Sequence, residues 1–323
     1  MSAPVAVKHE SPGFFSSASR LSLPVGARID PAAVAGYPIE MSAKATSSSR
    51  RAEHDPVLAS LYVDVCQFGL GCYERWLAGD GDEWLQAALD TGRYLLERQQ
   101  DDGSWIQPRP FSHTFPLAAG WRCGMAQGQA ASLLVRLFVQ TGDDTFAAAA
   151  RAALALLGRP VAEGGVAVEA AGGPWPEEYP TSPPSLVLNG AIFAWWGVRD
   201  VAVGLGDAEA GEAFATGVET LVRMLPRFDT GSWTLYCLYP FPVPNVASSF
   251  YHALHVAQLE AMYVLAPRAE LKAGAERWAG YLASDAHRRR ALGRKILFRL
   301  VVPRNRLLAR RMPWLRWPDA SAD

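Results

Sequence analysis

From Asp55 onward, apolar residues recur three and four positions apart, the spacing that lines one side of an α-helix. The pattern halts at short glycine- and acid-rich breaks such as "AGDGDEW", "QTGDDTF" and "VGLGDAEAGE". Segments bounded by these breaks predict helices over 56–78, 82–100, 124–141, 144–158, 186–204, 208–225, 251–265 and 268–284. Taken in order they make four hairpins. Helix pairs repeating around a ring form an all-α fold, an α/α barrel (toroid), with inner helices packed at the centre and connecting loops gathered at one mouth. The connections between pairs are long and rich in Trp, Tyr, Pro and Gly: "QQDDGSWIQPRPFSHTFPLAAGW", "GGVAVEAAGGPWPEEYPTSPPS" and "FDTGSWTLYCLYPFPVPNVASSF". Structureless loops of that length are uncommon unless they carry function, which marks them as site-forming.

Both ends of the chain depart from this pattern. Residues 1–34 are rich in Ser, Pro and Ala without periodicity and read as a flexible arm, followed by a second polar stretch, "EMSAKATSSSRRAEH". Residues 286–323 are strongly basic, with arginines alternating with Ile, Leu, Phe, Val and Trp up to and beyond Pro303. That is the pattern of an amphipathic tail lying on a surface, with an anionic membrane or an anionic polymer as partner, although arginines that are merely solvated would look the same.

Composition narrows the function classes. Among 323 residues, 31 basic against 32 acidic side chains give a formal net charge of -1, so no global field favours nucleic acid. The four cysteines, Cys66, Cys72, Cys123 and Cys237, contain no C-x-x-C pair and read as reduced, buried thiols, neither a zinc site nor a disulfide framework. No apolar run predicts a signal peptide or a membrane span, so a cytoplasmic protein is expected, peripheral at the inner membrane face if the tail binds lipid. P-loop, dinucleotide-binding, hydrolase-elbow and zincin motifs are absent, and no metal or cofactor is called for.

The loops instead suit sugars. Aromatic rings match the C–H faces of a pyranose, and carboxylate, amide and phenol groups handle its hydroxyls. In "EEYPTSPPSLVLNG", residues 177–190, two adjacent carboxylates and a tyrosine precede an apolar helix. Helix capping would account for such polar residues at a helix entrance, and so would a site.

Four separated blocks, "GWRCGMAQGQAASLLVRLF", "EEYPTSPPSLVLNG", "LPRFDTGSWTLYCL" and "FYHALHVAQL", together resemble the C-terminal domain of D-glucuronyl C5-epimerases. With weaker likeness in "GYPIEMSAKA" and "VCQFGLGCYERWL", the resemblance spans residues 35–285 and leaves out both ends of the chain. It implies an α/α barrel that needs no cofactor and inverts C5 of glucuronate within a polysaccharide to give iduronate. It assigns acid/base and active-site roles to Glu178, Tyr179, Tyr236 and Tyr251. It further implies that Gln127, Gln129, Asn189, Asn245, His252 and His255 bind sugar, although His255 on an apolar helix reads equally as a core histidine.

The chemistry explains those residue types. C5 carries a hydrogen α to the uronate carboxylate, so its removal leaves an enediolate, and a proton returned to the opposite face inverts the centre. A carboxylate and a phenol can share that work if burial moves their pKa values toward the task. Two departures from the family pattern concern substrate recognition. Tyr239 stands where an arginine follows the matching tyrosine in animal members, which leaves Arg122 as a substitute partner for the uronate carboxylate, and Ser248 and Ser249 replace an Arg-Trp pair. A polysaccharide lyase using the same intermediate and a non-catalytic glycan-binding module are the alternatives.

Overall fold

The computed structural model describes residues 61–303 apart from 109, 112, 113 and 116. The N-terminal arm, the "GYPIEMSAKA" stretch, the start of the first predicted helix and the tail beyond Pro303 lie outside the described residues. Four hairpins follow one another: α1 (Tyr62–Leu77) with α2 (Asp82–Arg98), α3 (Gly124–Thr141) with α4 (Asp144–Gly158), α5 (Leu188–Gly204) with α6 (Ala208–Phe228), and α7 (Ser249–Leu265) with α8 (Ala269–Ala283). A ninth helix among the described residues, α9 (Asp285–Val301), ends just before Pro303, whose ring disfavours helical backbone in the residue ahead of it.

The predicted breaks act as punctuation. Gly142 closes α3 in the left-handed conformation, and the next residue, Asp143, caps α4 by accepting from Thr145 N at 3.0 Å. Gly206 and Asp207 repeat the device before α6, where Asp207 accepts from Ala210 N at 3.0 Å. Ser248 caps α7 by accepting from Tyr251 N at 3.3 Å, so the helix begins two residues earlier than the periodicity predicts.

The layers follow from burial. Helices α1, α3, α5 and α7 pack side by side as an inner wall, and each packs against its own hairpin partner outside. Every residue of α3 up to Leu137 and nearly every residue of α5 up to Val201 is buried, because these stretches meet neighbours on all sides. They also approach backbone to backbone. A Cβ on Gly197 would collide with the Gly128 main chain, and one on Gly128 with that of Ala194. A buried ion pair, Arg136 Nη1 to Asp200 Oδ2 at 2.6 Å, joins the same two helices farther along.

One predicted loop holds regular structure. Strands β1 (Ala167–Ala170) and β2 (Gly173–Pro176) pair antiparallel, with Ala167 opposite Pro176 and Ala170 opposite Gly173. The two-residue turn, Ala171 (φ 50°) and Gly172 (φ 75°), has the left-handed backbone that a tight hairpin favours. Arg223 Nε of α6 donates to Ala171 O at 2.8 Å and fixes this hairpin against the barrel.

Candidate active site

The two adjacent glutamates do different things. Glu177 is sealed inside the loop, where its carboxylate accepts from Ser185 N and Ser185 Oγ, each at 2.6 Å, and from Leu186 N at 2.8 Å. Its backbone is tied on both sides, with Gly124 N donating to Glu177 O and Glu177 N donating to Val166 O. Glu178, held in place by that framework, turns to the cavity. The capping account of this segment fails, since Val187 stands at the N-cap of α5 with no side-chain hydrogen bond.

Glu178 lies against the first turn of α5, at Gly190, where any Cβ would run into its carboxylate and its own Cβ. Its Oε2 is buried without a hydrogen-bond partner among the described residues. Burial pushes the Glu178 carboxyl up to about 7; a hydrogen bond from the Tyr179 phenol opposes the rise, and the charge of Glu177 adds to it. Such a group changes protonation near neutral pH, as an acid/base catalyst must.

The four residues assigned to catalysis come together around two adjoining cavities. The larger, about 380 Å³, is lined by Tyr179, Tyr236, Tyr251, Asn245, Ser248 and aromatic residues of the 105–121 loop. The smaller, about 170 Å³, is lined by Glu178, Asn189 and Gln107 among others, and Phe111, Tyr179 and Tyr251 wall both. Tyr179 stacks between Phe111 at 4.9 Å and Phe115 at 4.8 Å, while Tyr236 and Tyr251 meet edge to face at 4.8 Å. Burial, and next the charge of Glu178, hold the Tyr179 and Tyr236 phenols well above the ordinary tyrosine value, so both stay protonated.

Residues 99–280 match the family model for the D-glucuronyl C5-epimerase C-terminus. The chain belongs to that family. It is 35% identical over 206 residues to D-glucuronyl C5-epimerase of Caenorhabditis elegans, covering 58% of this chain and 33% of that protein. It is 25% identical over 171 residues to the uncharacterized protein MJ1128 of Methanocaldococcus jannaschii, covering 49% of this chain and 56% of the other. The match thus spans about a third of the first relative's length and about half of the second's. A solved structure of unsaturated glucuronyl hydrolase from Bacillus sp. GL1 aligns with a TM-score of 0.49 at 16% identity, over 72% of this chain and 64% of that one.

The C5-epimerase fold does not bring every residue implied by the resemblance to the cavity wall. Gln127 is spent on structure: its Oε1 accepts from Trp105 N at 3.0 Å and its Nε2 donates to Gly103 O and Ala153 O, each at 3.2 Å. Gln129 is fully buried away from both cavities. Arg122 faces outward, because Trp121 and Cys123 on either side of it point into the smaller cavity and side chains alternate along extended backbone. There it bonds Ser104 Oγ at 3.0 Å and pairs with Asp102 at 3.2 Å, where Arg159 joins it. Tyr239 packs on Phe241 and Phe115 outside the cavity lining.

His252 and His255 line neither cavity, and a backbone carbonyl fixes the tautomer of His252. His252 Nε2 faces Trp278 O at 2.9 Å and must carry the hydrogen, since a carbonyl only accepts. His252 Nδ1 therefore accepts, from Thr234 N at 3.3 Å, and it also lies 2.9 Å from Thr234 Oγ1, which His255 Nδ1 meets at 2.9 Å as well. Burial lowers the His252 pKa to about 4 and drives that of His255 well below the ordinary value. Neutral and enclosed, the pair clamps the loop that carries Tyr236 onto the helix that carries Tyr251.

Asn189 and Asn245 do reach the cavities. Asn189 Oδ1 is buried without a partner among the described residues, as are both amide atoms of Gln107 beside it in the smaller cavity. Gln107 was not singled out in the sequence; the signal was a lone amide between Trp105 and a proline turn. Two cations that the sequence places in the basic surface tail reach the site as well. Lys295 and Arg299, one turn apart on α9, line the larger cavity. Lys295 Nζ donates to Asn245 Oδ1 at 2.8 Å and Val246 O at 2.7 Å and lies 5.9 Å from the Tyr236 ring centroid. Arg299 Nη1 reaches Thr114 Oγ1 at 3.5 Å.

Proposed function

We propose that this site inverts C5 of D-glucuronate residues within an anionic polysaccharide, giving L-iduronate. Glu178, ionised, takes the C5 proton, and the bonding electron pair moves into the uronate carboxylate as an enediolate. Tyr251 then gives its phenolic proton to the opposite face of C5, and the enediolate electrons return to form the new C–H bond. A proton passing from Glu178 to the Tyr251 phenolate, through solvent or the Tyr236 hydroxyl, restores the starting state. Protonated Tyr179 and Tyr236 stand ready to donate hydrogen bonds to the oxygens on which charge grows. The observation that carries this reading is a carboxyl poised near pH 7 and phenols kept protonated on the walls of two adjoining cavities that share Tyr179 and Tyr251.

The test is proton NMR of heparosan-type and other glucuronate oligosaccharides incubated with the protein in D2O. Deuterium entering C5 together with iduronate signals is the expected result. An unsaturated product absorbing in the ultraviolet would mean that a C4 leaving group departs and the protein is a lyase. No exchange on any glucuronate glycan would leave a binding module.

We also propose that the outer face of α9 rests on an anionic membrane surface. Leu292, Ile296, Leu297 and Leu300 are exposed on it, with Arg289 and Arg290 nearby. Changing Leu297 and Leu300 to Gln is expected to lower cosedimentation with phosphatidylserine vesicles at least several-fold and to spare C5 exchange, because the inward face of the helix is untouched. Unchanged cosedimentation would end the membrane assignment.

A further inference from the structure

We infer that Lys295 and Arg299 form the anion-recognition pair of this site, Lys295 taking the carboxylate of the reacting uronate and Arg299 an anionic group on the neighbouring sugar. The inference rests on the uronate reading above and extends it to residues that lie beyond the matched stretch 99–280.

Charge sets the requirement. A uronate entering this cavity brings a carboxylate into partly desolvated space near Glu178, and a second negative charge there is costly unless a cation faces it. Among the described residues lining the larger cavity, Lys295 and Arg299 are the cationic ones. Arg122, whose sequence position suggested the role, is occupied outside with Asp102 and Ser104.

Geometry divides the work between the two. Lys295 is aimed by two neutral oxygens, Asn245 Oδ1 and Val246 O, next to the Tyr236 ring. A carboxylate bound there stands among the phenols, and the ammonium strengthens its hold as C5 loses its proton and a second negative charge develops. Arg299 lies four residues on, about 6 Å along the helix axis. That offset carries its planar fork to the next unit of a pyranose chain, where a carboxylate or sulfate can be gripped by two N–H groups. Phe298 between them is fully buried and packs edge to face on Phe241 at 5.1 Å, which fixes the helix against the loop wall.

The test uses calorimetric titration of the full chain with a heparosan-type tetrasaccharide and with its carboxyl-reduced, neutral counterpart. The wild type is expected to bind the uronate form at least about 10-fold more tightly than the neutral one. Lys295→Met and Arg299→Gln are each expected to lose about 10-fold or more on the uronate form and little on the neutral one. Arg289→Gln, the same loss of charge on an exposed position of the same helix, is expected to stay within about 2-fold. Lys295 also anchors the 245–246 turn, so Lys295→Arg, which keeps charge and donors, should recover most of the affinity if Lys295→Met fails to fold, and Arg299→Gln tests the pair independently.

If deuterium enters C5 in the wild type while both variants bind as it does, the recognition pair is overturned and the epimerase reading stands. If the variants lose uronate binding but the wild type shows no exchange, the pair stands and the epimerase reading falls. A wild type that binds the two tetrasaccharides equally overturns the pair.

Discussion

Glu178→Gln is expected to reduce C5 exchange and iduronate formation by at least about 10²-fold, since a glutamine cannot accept the proton and positioned acid/base groups contribute on that order or more. Tyr251→Phe separates the two halves of the reaction: deuterium should still enter C5 with retention, while iduronate formation falls by a similar factor. Full iduronate formation by either variant would overturn the assignment. In the wild type, kcat/KM should climb with pH and level off above about 7 as the buried carboxyl ionises.

The same substitution has an opposite effect on stability, and its sign follows from linkage. The Glu178 carboxyl is raised in the folded state from 4.5 to about 7, so between those values the folded protein holds a proton that the unfolded chain has already released. Folding is therefore favoured at the acid end of that window and loses stability as pH rises through it, with the full penalty present above about 7. Glutamine does not titrate. Glu178→Gln should match the wild type near pH 4.5 and exceed it by up to about 3 kcal/mol at pH 8, read as a higher Tm. An inactive variant that is also more stable at alkaline pH is what a buried catalytic carboxylate leaves behind when it is removed.

Gly197→Ala should act on the fold with comparable force. The added methyl would fall on the main chain of Gly128, which cannot rotate away as a side chain could, so α3 and α5 must separate. A loss of about 3 kcal/mol or more is expected, with a fall in Tm on the order of 10 °C. Gly280→Ala is the matched control: nothing lies within 4 Å of its Cβ position on α8, and it should raise stability by about 0.5–1 kcal/mol. If the two variants unfold alike, backbone contact between the inner helices does not hold the barrel together. Separation of α3 and α5 should also cost activity, because Gly124 at the head of α3 bonds Glu177 O and Gly190 at the head of α5 abuts Glu178.

How much of this was legible before the structure depends on how local each feature is. The hairpins are local: helical spacing and breaks such as Gly142 with Asp143 announce them within a few residues. Glu178, Tyr179, Tyr236 and Tyr251 were legible through four family blocks, but motif position alone could not show that Glu177 would be consumed by Ser185 and Leu186. The β1–β2 turn had its signal in "AAGG", hidden in a segment whose prolines suggested a loop. Arg122 looked suitable because it adjoins a motif, and only the alternation of extended backbone turns it outward. His252 and His255 matched a block for a structural reason, the clamp through Thr234. Lys295 and Arg299 were legible only as members of a basic tail with an anionic partner, and their place on the cavity wall was not. Arg299 meets Thr114 across 185 residues of chain, and nothing periodic or compositional records a contact of that range.

The position of α9 separates two properties that often share a stretch of sequence. The proposed acid/base groups lie within the matched region 99–280, and the cations among the described residues of the cavity arrive at positions 295 and 299, on a helix that starts at Asp285. A change of that helix alone, by drift or by exchange with another terminal segment, would re-address the barrel to a polymer of different charge spacing without disturbing the atoms that move the proton. Grafting α9 onto a relative that ends after its eighth helix would transplant the preference and leave the chemistry with the recipient.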